Sequence, residues 1–320
     1  MRHIYMLPLP SHAREDEVQS INQIVLHLND HLPAYGYQLT EIKSQADLIA
    51  GHAGTPDNET IVDVAHLSGL YPTAYAADSS WQWSINARVI ETCRHAAAVT
   101  VPSNWVGEIL QRDMGFSPDV ISWGIDTSQW QPAKEHGSYV LWAKPRSDSV
   151  CDPEPMVKLA AICPQQLFLT TFLHKEKPNE QAAAFVTPNI RAIGRVPLNE
   201  MRGHVARAQV FMSSTKETFC LGVLEAMACG VPVLAYNDGA VPDIVRHGIE
   251  GFIVERGDIE GLKKGLEYCI KHRAILGANG IKRAKEYTWD RCARAIAGVY
   301  DRVLADEPRP HVIDESLYVV

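Results

Sequence analysis

The sequence predicts a doubly wound α/β protein built from two domains, and three observations lead there. Its 320 residues exceed the ~100–200 expected of a single domain. Short apolar strands alternate with helical patterns along most of the chain, which is how βαβ units around a parallel sheet read. The pattern also restarts. After VISWGIDTSQWQP and the loop EHGS, a second strand–helix series begins at YVLWAK.

Each element follows from its local pattern. The first half opens with a strand, HIYMLPL, and a helix near Val18–Leu32. Strands ADLIAGH, TIVDVAH and AAVTVPS follow, with helices over Ser84–His95 and Trp105–Asp113. Gly124 and Pro132 break the periodicity and place the domain hinge. The second half offers the strands YVLWAK, LFLTTF, IRAIGRV, AQVFMSS, VPVLAY and EGFIVE. Helices are expected near Pro155–Ile162, Leu198–Arg207, Gly222–Cys229, Pro242–Arg246 and Ile259–Lys271. TWDRCARAIAGVYDRVL closes the series as an amphipathic helix with Ile296, Val299, Tyr300 and Val303 on one face. The expected domains are 1–132 and 133–286, followed by a helix over 287–305 that packs back on the first domain, then a tail over 306–320.

Composition narrows the function. A formal charge of −8 argues against general affinity for nucleic acid or anionic membranes. No run of about 18 apolar residues exists to span a membrane, and the N-terminus reads as a strand rather than a signal peptide. Seven scattered cysteines without a CxxC pair favour free thiols and a cytoplasmic setting. The chain lacks GxGxxG after a strand, GxxxxGK[ST], HExxH and Asp-x-Asp, so no metal site is expected.

The informative stretch is SSTKETFCLGVLEAMACGVPVLAY, from Ser213 to Tyr236. It reads as a strand end, a loop, a short helix and the next strand, with the loop at the carboxyl edge of the sheet where open α/β folds bind ligands. The helix start offers unpaired N–H groups and a positive dipole end to a phosphate. Glu217 precedes the helix, and Glu225 lies a turn inside it among residues that should face the core. Two carboxylates flanking an anion site suit a ligand with hydroxyls on both sides of a phosphate, such as a sugar nucleotide. An ordinary capping Glu217 and a surface Glu225 are the competing reading, weakened by the apolar company of Glu225.

These residues carry a family resemblance. ETFCLGVLEAMACGVPVLAYNDGAVPDIVRHGIEGFIVERGD resembles the donor-binding signature of family-4 retaining glycosyltransferases (glycosyl transferases group 1). VISWGID, AIGRVPLNEMRGHVARAQVFMSS and YTWDRC extend the resemblance. It implies a GT-B fold, with two Rossmann-like doubly wound domains facing each other across a cleft. It also implies a nucleoside-diphosphate sugar as donor, a UDP-sugar first among candidates, and no cofactor.

By the same resemblance Glu225 would hold ribose hydroxyls and Glu217 the donor sugar. The backbone N–H groups of Phe219, Cys220 and Leu221 would meet sugar and phosphate, and Gly194, Arg195 and Val196 would line the base. The family's basic pair after the second domain's first strand, an Arg and then a Lys about five residues later, is altered here to WAKPRSDSVCDP, which leaves Lys144 and Arg146 as the candidates for the diphosphate and two solvated loop cations as the rival reading. His66 aligns with a histidine near the sugar, a role for which a core or capping histidine is the rival, and His52 ranks below it. Ser103 suits either the donor phosphate or the N-cap of a helix. The first loop, SHAREDEVQS, lacks the family's glycine pair, leaving Ser11, His12 and Arg14 to reach the site. Trp81 and Trp83 could pack on an acceptor sugar or simply fill the core.

The expected activity is metal-independent transfer of a sugar to an acceptor hydroxyl, with retention of configuration, in which Glu217 and His66 serve the reacting sugar. The acceptor would be a glycan, a small molecule or, with less support, a modified nucleic acid. The alternatives are a sugar-nucleotide epimerase or hydrolase of the same fold, and a non-catalytic nucleotide-sugar-binding protein.

Overall fold

The computed structural model describes residues 1–12, 20–54, 60–70, 80–144, 151–171, 187–194 and 196–306. The chain divides into two compact units, Met1–Gly124 with the chain from Tyr287 onward, and Ile125–Glu286. Each is built on a six-stranded, wholly parallel sheet.

The first unit contains β1 (Arg2–Leu7), β2 (Tyr37–Thr40), β3 (Leu48–His52), β4 (Val64–His66), β5 (Ala98–Val101) and β6 (Asp119–Val120) in the order β2-β1-β3-β4-β5-β6. Helices α1 (Ser20–His31), α2 (Ser80–His95) and α3 (Asn104–Met114) connect them. α2 begins four residues earlier than its periodicity suggests. The sequence pattern passed over β2, a four-residue strand behind Gly36, and β6, which lies beside the stretch read as hinge. The C-terminal helix Trp289–Leu304 buries Trp289, Ile296, Val299 and Tyr300 against Ile4, Met6, Ile24 and Leu28. The apolar stripe of that helix therefore became the core of this unit, as amphipathic burial requires.

The second unit contains β7 (Tyr139–Trp142), β8 (Leu167–Thr170), β9 (Ile190–Ala192), β10 (Val210–Ser213), β11 (Val233–Tyr236) and β12 (Gly251–Val254). Their order is β12-β11-β10-β7-β8-β9. Counted from the first strand of the unit this is the 3-2-1-4-5-6 dinucleotide-fold order read from the far edge. It reverses direction between β7 and β10, so the crevice at their carboxyl ends is the expected ligand position. Helices α4 (Glu154–Ile162), α5 (Leu198–Arg207), α6 (Leu221–Ala228), α7 (Val241–Ile244), α8 (Ile259–Lys271) and α9 (Arg273–Ala284) complete it.

The sequence pattern missed α9, because RAILGANGIKRA carries two glycines that read as loop. They are tolerated because α9 lies directly against α6. A methyl on Gly277 would fall 2.3 Å from the Gly230 carbonyl oxygen, and one on Gly280 3.3 Å from Met227 Cα. Close backbone approach is worth more here than helix propensity. Among the described residues, no helix is long and apolar enough to cross a membrane.

Candidate functional site

The carboxyl ends of β7 and β10 bring together the residues singled out in the sequence. β7 ends at Trp142, and Lys144 follows two residues later; β10 ends at Ser213, and Glu217 follows four residues later. The Lys144 ammonium is hydrogen-bonded and ion-paired to the Glu217 Oε1 across the switch point. The two side chains are only about a fifth exposed, at 18% and 20%. Burial works against the charge on Lys144, but the Glu217 carboxylate outweighs it and holds the ammonium above its ordinary pKa. Sequence reasoning placed both residues near a ligand; their mutual contact had no one-dimensional signal.

The loop carrying Glu217 is fixed by polar contacts on several sides. Trp142 Nε1 donates to Ser214 Oγ at 2.9 Å, and that hydroxyl donates onward to the Asp152 carbonyl at 2.5 Å. Thr215 Oγ1 donates to the Cys151 carbonyl at 2.8 Å. Ala240 N–H donates to the Glu217 carbonyl at 2.8 Å. Gly239 sits beside it at φ 64°, where a Cβ would lie 2.5 Å from the Glu217 oxygen and 3.0 Å from its nitrogen. Only glycine combines this left-handed backbone with such an approach. Nothing in the local sequence pattern marked the service of Gly239 to Glu217.

α6 starts immediately after this loop. Its N-cap is Cys220, a non-glycine residue at φ 72°, ψ 46°. Such strain persists where surrounding structure over-determines it, and it collects at ligand sites. Val223 and Leu224 N–H groups return to the Cys220 carbonyl at 3.0 and 3.1 Å, while those of Cys220, Leu221 and Gly222 have no acceptor among the described residues. The helix start thus offers the cluster of N–H donors that an anion needs. The Phe219 side chain is buried at 2% exposure, and burial raises the Cys220 thiol well above its ordinary pKa, which favours the protonated thiol.

Glu225 lies one turn further along α6 between the buried Leu224 and Ala226. Its Oε2 is 4.0 Å from where a Gly222 Cβ would be, so the carboxyl leans back over the first turn. Burial pushes its pKa up to about 7; Lys144 and Arg202 pull it down, and Glu217 raises it. No hydrogen bond reaches this carboxyl among the described residues. Gly194 and Val196 follow the carboxyl end of β9, on the β8–β9 side of the switch point. Arg202, on α5, was not anticipated. Its guanidinium lies over the Trp130 ring at 5.7 Å and bonds Gln129 Oε1.

The remaining expectations fall in the first unit or outside the described residues. His66 ends β4, but both ring nitrogens are occupied, Nδ1 by Thr100 Oγ1 at 2.7 Å and Nε2 by Tyr300 OH at 2.9 Å. Burial, with His52 nearby, lowers its pKa to about 3, and burial takes His52 to about 4. This is the geometry of a satisfied core histidine, and it joins the sheet to the C-terminal helix. Ser103 caps α3, its Oγ accepting from Val106 N–H at 3.3 Å. Ser11 and His12 are exposed, with Ser11 N–H bonded to Glu41. Trp83 is 60% exposed, which removes it from the core reading. Arg146, Arg195 and Arg14 and the Trp81 side chain lie outside the described residues.

Comparison with known proteins places the chain among sugar-transferring enzymes by sequence and fold. Residues 174–287 match the sequence family described as Glycosyl transferases group 1. Over 115 residues the chain is 31% identical to the O-antigen chain mannosyltransferase B of Escherichia coli, covering 35% of this chain and 30% of that protein. Over 107 residues it is 34% identical to a D-inositol 3-phosphate glycosyltransferase of Streptomyces griseus, covering 32% and 23%. The aligned regions thus span less than half the length of these relatives. Among solved structures, sucrose-phosphate synthase of Thermosynechococcus elongatus matches with a TM-score of 0.77 at 16% identity, covering 96% of this chain and all of that one. The Anabaena protein HepE in complex with UDP-glucose matches at 0.71 and 14% identity, covering 94% and 99%. The fold is therefore GT-B, with two Rossmann-like α/β domains.

Proposed function

We propose that this chain, whose residues 174–287 match the Glycosyl transferases group 1 family, transfers a sugar from a nucleoside-diphosphate sugar to an acceptor hydroxyl, retaining the anomeric configuration without a metal ion. The observation that carries this reading is the Lys144–Glu217 pair at the switch point, set beside the open N–H groups that begin α6. A cation and a helix N-terminus converge where a diphosphate would lie, and two carboxylates stand on either side of it.

The roles follow from the chemistry of each group. The Leu221 and Gly222 N–H groups and Lys144 bind the diphosphate. When the bond between the anomeric carbon and the phosphate oxygen breaks, they stabilise the charge that develops on the leaving group, in a preorganised site where such donors count most. Glu217 releases Lys144 to the phosphate, accepts hydrogen bonds from sugar hydroxyls and faces the positive charge on the ring. Glu225 accepts from the ribose hydroxyls, while Gly194 and Val196 flank the base. The acceptor oxygen bonds to the anomeric carbon from the face the phosphate leaves, and its proton passes to the departing phosphate. His66 has no part in this scheme. A UDP-sugar is the first donor to test, given the likeness to a UDP-glucose complex. The acceptor is a glycan or small molecule, and the seven buried free thiols suit a reducing, cytoplasmic setting.

The test follows nucleoside diphosphate release from a panel of UDP-, GDP- and ADP-sugars, with and without pooled acceptor glycans. Acceptor-dependent release that is lost in Glu217→Gln supports transfer. Rapid conversion of the donor alone would favour a hydrolase or epimerase. Binding without turnover on any acceptor would favour a non-catalytic protein.

A further inference from the structure

Arg256, in the loop after β12, gathers three neighbouring segments around the Glu217 loop. Its Nε donates to Asp238 Oδ2 at 2.6 Å, its Nη1 to Asp152 Oδ2 at 2.7 Å and its Nη2 to the Ser214 carbonyl at 3.1 Å. The guanidinium lies 5.0 Å from the centre of the Tyr236 ring. Asp238 in turn accepts from Lys216, the residue before Glu217, at 3.1 Å, and from Gly239 N–H at 2.8 Å. Charges alternate along Lys216, Asp238, Arg256 and Asp152, so the chain of contacts is neutral overall. It spans the loops after β10, β11 and β12 and the segment before α4. Asp152 holds its place at φ 48°, an unfavourable backbone that this contact helps to maintain.

Magnitudes decide what this arrangement is for. The Arg256 side chain is a third exposed, at 33%, and solvent-screened ion pairs of this kind add little to stability. Displacing a reacting group by about 1 Å costs up to about a hundredfold in rate. A network worth little as a stabiliser can therefore be worth much as a mount for Glu217. We propose that Arg256, acting through Asp238 and Ser214, is a positioning residue that fixes the Glu217 carboxylate against the donor's sugar. This rests on the donor-site reading above.

The discriminating quantity is the sugar increment, the ratio of affinity for a nucleotide sugar to that for its nucleoside diphosphate, because Glu217 addresses the sugar and not the nucleotide. Calorimetry on the full chain would measure this ratio for wild type, Arg256→Met, Arg256→Lys, Glu217→Gln and the Arg256→Met/Glu217→Gln pair. Arg256→Met should lose at least about fivefold of the increment while nucleotide affinity stays within about twofold. Arg256→Lys should fall between, since an ammonium lacks the planar fork that reaches three acceptors. In the Glu217→Gln background Arg256→Met should cost nothing further, the mark of action through Glu217.

Equal loss in both backgrounds, equal loss of nucleotide affinity, or a retained increment would each overturn the proposal while leaving the donor site intact. A wild-type chain with no increment for any of the UDP-, GDP- and ADP-sugars would instead overturn the donor-site reading, and this inference with it. If Arg256→Met fails to fold, Asp238→Asn tests the same link and should show the same selective loss.

Discussion

Acidification should loosen the donor's hold, and Glu225 sets the amount. Its carboxyl is pushed up to about 7 by burial, and is then modulated by Lys144, Arg202 and Glu217. Accepting hydrogen bonds from two ribose hydroxyls favours the ionised form, because protonation turns one carboxyl oxygen into a donor. Roughly one carboxyl in eleven is ionised a pH unit below its pKa and ten in eleven a unit above, so affinity should rise about tenfold, about 1.4 kcal/mol, from pH 6 to pH 8. Calorimetric titration with a nucleotide sugar, which has no secondary phosphate ionising in this range, reads the change directly. Repeating it in buffers of different ionisation enthalpy should show about half a proton released per site at pH 7. Glu225→Gln keeps the shape and removes the titration, so it should bind weakly and equally at both pH values. The loss at pH 8 should be about 1.5–3 kcal/mol, the worth of hydrogen bonds to a charged group. A flat wild-type profile, or the same slope in Glu225→Gln, would rule out Glu225 as the carboxylate that holds the ribose.

Four further outcomes are expected. Gly239→Ala places a methyl against the Glu217 backbone; strain at positive φ adds about 1–2 kcal/mol, and donor turnover should fall at least tenfold with a modest drop in melting temperature. Lys144→Met should cut nucleoside-diphosphate affinity by tenfold or more, since it removes a phosphate partner and leaves Glu217 unpaired. Gly277→Ala, with its methyl 2.3 Å from the Gly230 oxygen, should destabilise the second unit by about 1–3 kcal/mol through overpacking, read as a lower denaturant midpoint.

The fourth concerns pH and stability. The folded pKa of His66 is depressed to about 3, so its contribution is complete above about 6.5 and is lost as pH falls. By pH 5 that loss amounts to about 2 kcal/mol. His66→Asn should be less stable at neutral pH but flatter, by about one proton, between pH 6 and 4. Glu225 acts in the opposite sense. Its raised value makes the ligand-free fold more stable below the ordinary carboxylate range, and that advantage fades as pH climbs to about 7.

Much of the fold was legible because burial imposes periods on sequence. α5 and α8 fall on the residues their periodicity marks, and the stripe Ile296, Val299, Tyr300 faces the core as read. α9 was hidden because its glycines answer to a partner helix, and partners leave no local trace. β2 and β6 were too short to show alternation. In the site, the strand–loop–helix around ETFCLGVLE was readable from strand polarity and the helix start alone. Side-chain partnerships were not. Lys144 meets Glu217 across 73 residues, and Arg256 meets Asp152 across 104. The left-handed Cys220 also escaped notice, since nothing about a cysteine announces a conformation that glycine would normally supply.

A crystal structure with the nucleotide sugar that most raises the melting temperature would locate the donor on the protein. The diphosphate should lie on Lys144 and the Leu221 and Gly222 N–H groups, with Glu225 bonded to both ribose hydroxyls and Glu217 turned from Lys144 to the sugar. A nucleotide bound away from the α6 N-terminus, or a bound sugar with Glu217 still paired to Lys144, would contradict that arrangement.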